Sequence, residues 1–86
     1  MSAENICAGI VAEIRRRLIA DGRAGSTDLA AWAMAQFGIS SAEAARAVDA
    51  AFTLFDPLAR GDSAEELKAH SAEFERYVSE RREVPT

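Results

Sequence analysis

One cysteine, Cys7, and one histidine, His70, are the only thiol and imidazole in the chain. A zinc ion would need carboxylates for its remaining ligands, and no stretch shows metal-ligand spacing, so no metal site is expected. His70 is the one side chain whose ordinary pKa lies near neutrality. At a helix boundary it reads as a half-exposed residue, not as a switch. Gly61-Asp62-Ser63 has the look of a nucleophile turn but lacks the Gly-x-Ser-x-Gly elbow, and helix capping accounts for its residues. The acidic pairs Glu65-Glu66 and Glu73 with Glu75 fall on a polar helix face, where solvation explains them better than a raised pKa. There is no glycine-rich phosphate loop either. These residues assign no catalytic group and no cofactor, and the expectation is a protein that is not an enzyme.

The second chemistry to weigh is recognition of DNA. Phe37 and Ile39 flank Gly38, and Ser40 precedes a helical stretch, which is the layout of two helices joined by a tight turn, as in the helix-turn-helix motif. Position 34 is methionine where that motif wants a small residue, and Ala44 and Ala47 stand where larger aliphatics are usual. The helix after the turn offers Ser40, Ser41 and Arg46, but also Glu43 and Asp49, to a groove that demands donors and positive charge. Arg15, Arg16 and Arg17 are the strongest basic cluster. On a helix, consecutive arginines fan around the axis, and their position late in the first helix suits its dipole, so a structural role suffices. The chain carries 14 acidic and 10 basic side chains, a net charge of −4, which repels both the phosphate backbone and anionic membranes. A DNA-binding transcription regulator using Arg15, Arg16, Arg17, Ser40, Ser41 and Arg46 is thus the second reading, and nucleic acid is not the expected partner.

The elements that position these residues are helices. Alanine pairs recur at Ala30-Ala31, Ala44-Ala45 and Ala50-Ala51, while strand-forming β-branched residues are scarce. A chain of 86 residues makes one domain burying about 60–65% of its unfolded surface. Ile6, Cys7, Ile10, Val11, Ile14 and Leu18 recur at helical spacing in a first helix from Ala3 to Ala20, with Glu4, Glu13 and the three arginines mostly opposite. Gly22 and Gly25 end it. A second helix runs from about Asp28, capped by Ser26 or Thr27, to Phe37, and the breadth of its apolar arc marks it as the most buried element. Ser40 and Glu43 form a capping box that starts a third helix. Asp56-Pro57 closes that helix, because the residue before proline is pushed out of helical geometry.

The expected fold is an all-α, compact four-helix domain: a three-helix core over 1–57, a linker over 58–62, a C-terminal helix over 63–82 and a frayed tail over 83–86. The last helix has only Leu67, Phe74, Tyr77 and Val78 on its apolar side, with His70 between them. So thin a stripe either packs along an edge or pairs with another molecule. Trp32, Phe55, Leu67, His70, Phe74, Tyr77 and Val78 are therefore the candidate partner-binding residues. The function this supports is a small acidic regulator, inhibitor or adaptor that binds another protein with a basic surface, or a second copy of itself as a homodimer. A lone cysteine and the lack of any membrane-spanning run lead to the expectation of a cytoplasmic protein with no membrane partner.

Overall fold

The computed structural model describes residues 2–59 and 72–83. Those residues form helices α1 (Ala3–Asp21), α2 (Ser26–Phe37), α3 (Ser41–Ala59) and α4 (Ala72–Glu83), an all-α four-helix domain. The Cα radius of gyration is 12.4 Å, close to the ~12 Å of a compact chain of this length. No described helix is long and apolar enough to cross a membrane.

α1 begins where the Asn5 N–H donates to Ser2 Oγ at 3.2 Å and ends at Gly22. That glycine has φ +75 and donates its N–H to the Leu18 carbonyl at 3.0 Å. α2 has no side-chain cap: its N-cap is Gly25 in an extended conformation, and Ser26 and Thr27, expected to cap it, already lie inside the helix. Gly38 closes α2 with φ +65. A side chain there would strain against the backbone, so glycine is what permits so tight a reversal into α3.

Two further expectations about α3 are overturned. The helix does not stop at Asp56-Pro57 but continues through Pro57 to Ala59. The aversion of the residue before proline to helical geometry is a preference and not a prohibition, and with only Leu58 and Ala59 to follow, little of the helix lies beyond Pro57. The capping box is also half made. Glu43 N–H donates to Ser40 Oγ at 3.1 Å, but the Glu43 carboxylate does not reach back to Ser40. It turns across to α4, where Tyr77 and Arg81 donate to it.

α3 is the hub. It packs against α1, α2 and α4, whereas α2 and α4 make no contact with each other among the described residues. Its inner side is Ala44, Ala47, Val48, Ala50, Ala51 and Leu54, all buried. Methyl side chains at four of these positions let the neighbouring helices approach closely, and the bulk is supplied from outside by Ile6, Ile10 and Ile14 of α1, Leu29 of α2 and Phe74 and Tyr77 of α4. The core is therefore not confined to the first three helices. α2, expected to be the most buried element, buries only Leu29 and Ala33. Its aromatic residues lie at the margin, with Trp32 and Phe37 edge to face at 5.6 Å between centroids and an interplanar angle of 87°.

Leu18 falls on the apolar stripe of α1 yet is 38% exposed, and Ile19 is 81% exposed. Leu18 to Asp21 are all exposed, so in the last turn of α1 position along the axis outweighs position around it. Glu13, expected on the outer face, is buried at 7% exposure. Gly9 is explained by a neighbour: a Cβ on it would lie 2.8 Å from Phe37 Cζ.

That contact sets opposing effects against each other. Gly9→Ala gains helix propensity of about 1 kcal/mol but overpacks the Phe37 ring at a cost of about 1–3 kcal/mol. The expected result in urea denaturation is a net loss of stability. In a Phe37→Leu background the same alanine is expected to stabilise, and a Gly9→Ala effect of equal sign in both backgrounds would show that the ring is not the obstacle.

Candidate functional site

The residues expected to meet a partner do not form one surface. Phe74 and Tyr77 are 6% and 2% exposed and fill the gap between α4, α3 and α1, so they belong to the fold and are not available for docking. Val78 and Phe55 are half-buried against the same core, as is Trp32 on α2. Because α2 and α4 do not touch, Trp32 is not joined to the α4 residues. Leu67 and His70 lie outside the described residues. A homodimer built on Phe74 and Tyr77 would first have to displace α3.

α4 is held to α3 by polar contacts as well. The Tyr77 hydroxyl donates to Glu43 Oε2 at 2.8 Å, Arg81 pairs with the same carboxylate, and Arg46 pairs with Glu80. Burial, then the hydrogen bond to the Glu43 carboxylate, raises the Tyr77 pKa above its ordinary value, so the phenol stays protonated and donating. A shallow groove between the two helices, about 190 Å³, is lined by Arg46, Asp49, Glu73, Arg76, Tyr77 and Glu80. Its charges are mixed, and its central pair is already joined.

The residues assigned to the DNA reading are largely engaged. Glu13 accepts from Arg16 Nε at 2.8 Å and Nη2 at 2.7 Å, and from Arg17 Nε at 2.8 Å. Hydrogen bonds from Arg16, then Arg17, lower the Glu13 pKa to about 2, and the carboxylate in turn raises that of Arg16. The cluster does not serve the dipole of α1 as expected, since the last turn holds no basic residue. Arg15 is exposed, Ser40 is occupied as a cap, and Ser41 is exposed at the start of α3. The outward side of α3 shows Ser41, Ala42, Ala45, Arg46, Asp49 and Thr53.

Cys7 is 1% exposed. Burial, with the nearby charge of Glu4, pushes its thiol up to about 12, which keeps it protonated and unfit as a nucleophile. Among the described residues no cluster of histidine, cysteine and carboxylates is placed to hold a metal. The Glu13 cluster was missed in the sequence although the signal was there: Arg16 and Arg17 stand three and four residues after it, the spacing at which helical ion pairs meet. Glu43 with Tyr77 had no such signal, being 34 residues apart.

No protein-family model matches the chain, and neither a curated protein nor a solved structure was found to resemble it.

Two outcomes follow from these contacts. Tyr77→Phe is expected to destabilise the chain by about 1 kcal/mol, a fall in Tm of about 4–8 °C. Combined with Glu43→Gln the losses should be less than additive, and additivity would mean the two groups act separately. The Glu13 carboxylate has a folded pKa of about 2, below its ordinary 4.5, so its stabilisation is full above the unfolded pKa and is lost as pH falls through the folded one. The stability gap between the wild-type chain and Glu13→Gln, measured by urea unfolding, is expected to be constant near neutrality and to close on acidification between these two values. A gap that widens in acid would contradict the arginine pairing.

Proposed function

We propose that the protein is a small non-catalytic regulator, inhibitor or adaptor that acts by binding another protein. The observation that carries this reading is the state of the helix-turn-helix-like pair. α4 lies across α3 and takes Glu43 and Arg46 into its own contacts, and the outer side of α3 offers short side chains and Asp49 where base edges call for bidentate donors. Arg16 and Arg17 are likewise matched to Glu13, which weakens any pull on phosphate. With a net charge of −4 the whole chain approaches nucleic acid against repulsion. The protonated, buried Cys7 thiol and the paired carboxylates Glu13, Glu43 and Glu80 support a binding role over a catalytic one.

The competing reading is a DNA-binding regulator, favoured by the Gly38 turn and the Ser40 cap. Retention of a DNA duplex by the full chain over a salt series separates the two. The expected result is no retention even at low salt. Tight retention that falls steeply as salt rises would replace the protein-binding reading, since release of counterions scales with the phosphates neutralised.

A further inference from the structure

α1, α2 and α3 all touch one another, while α4 touches only α3 and α1. A lifted α4 would therefore leave the three mutual interfaces of α1, α2 and α3 in place. α2 has no such freedom. The short connections over 22–25 and 38–40, each opened by a glycine at positive φ, bind it to α1 and α3 at both ends, and Phe37 in its last turn lies against Gly9 of α1. α4 is held by less. Among its described residues only Phe74 and Tyr77 are buried, with Val78 half-buried, and Glu73, Glu75, Arg76 and Ser79 face solvent, so it stays well hydrated when lifted. What α3 turns inward is mostly methyl groups, which expose little apolar surface per residue. The pairs of Arg81 with Glu43 and Arg46 with Glu80 join partly exposed side chains, and such pairs give way to water at small cost. The Tyr77 hydroxyl and its Glu43 acceptor regain water together.

We infer that α4 is a lid, which opens from α1 and α3 as a unit while those two helices and α2 stay folded together. Openings of this kind follow the part of a fold with the fewest buried apolar contacts. One group that the lid uncovers can be named. Cys7 on α1 is 1% exposed and close enough to Tyr77 to act on the ionisation of the phenol, which puts the thiol on the side of α1 that faces α4. Opening bares it while α1 is still helical. α4 thereby controls when Cys7, and the side of α3 that carries Glu43 and Arg46, meet solvent. It does so whatever partner the protein has.

The test labels Cys7 of the full chain with a small maleimide over a urea series below the unfolding transition, and follows the backbone amides by hydrogen exchange. A lid exposes far less surface than global unfolding, so labelling is expected to rise only shallowly with urea until the steep global limb takes over. The Tyr77, Val78 and Arg81 amides should exchange through an opening of the same population. Tyr77→Phe keeps the ring and removes the hydroxyl that must leave Glu43 on opening, so it is expected to speed labelling about fivefold. Leu29→Val loosens the core on a helix that α4 does not touch. It is expected to lower the urea midpoint and to leave labelling without urea unchanged; the urea slope and the amides decide the matter even if that variant unfolds. Labelling that follows the global slope throughout, or that both variants speed alike, overturns the lid, because α4 then opens only with the whole chain. Labelling indifferent to Tyr77→Phe overturns it as well, since Cys7 is then reached without α4 moving.

Discussion

Three helices can converge on α3 only because most of the side chains it turns inward are methyl groups. Ala44, Ala47, Ala50 and Ala51 are buried together with Val48 and Leu54, and the larger residues that fill the space come from α1, α2 and α4. This division of labour makes α3 a narrow rod with broad neighbours. Any larger residue at an alanine position would push a whole helix outward, because interiors packed this closely have no spare volume. The same constraint explains Gly9, which lets the Phe37 ring lie against α1.

α4 joins this rod under a different balance. Its described residues bury two aromatic side chains and half-bury Val78, and polar contacts add to this hold on α3, through Tyr77 and Arg81 on Glu43 and Glu80 with Arg46. Ion pairs on partly exposed side chains contribute little stability. The buried phenol is more demanding, since its hydroxyl needs an acceptor wherever it is removed from water. Glu43 is that acceptor, and this is why a residue placed to complete a capping box serves a distant helix instead. Hydrophobic burial sets how strongly α4 is held, and the hydroxyl sets its register on α3.

The spans of the first three helices were legible in the sequence because apolar spacing and glycine stops agree there. The end of α3 was not, since the residue before a proline is biased against helical geometry without being barred from it, and α3 runs two residues past Pro57. Exposure followed a quantity that periodicity does not contain: Leu18 has the right angle around α1, yet it is exposed near the end of the helix. The thin stripe of the last helix had two outcomes consistent with its pattern, inward packing or partner contact, and Phe74 and Tyr77 take the first. The burial of Glu13 was not legible either, since it depends on the packing of neighbouring helices and not on the period of α1.

The chain has a single tryptophan and a single tyrosine, and the fold has put them on helices that do not touch. Trp32 sits at the margin of α2, its indole edge to face with Phe37, while the Tyr77 phenol is sealed beneath α4. The two chromophores thus give separate optical signals, one sensitive to how α2 seats beside α1 and the other to whether α4 is seated on α3. A loosening of either helix can be followed by ultraviolet spectroscopy on the unlabelled molecule, with no dye or engineered residue added.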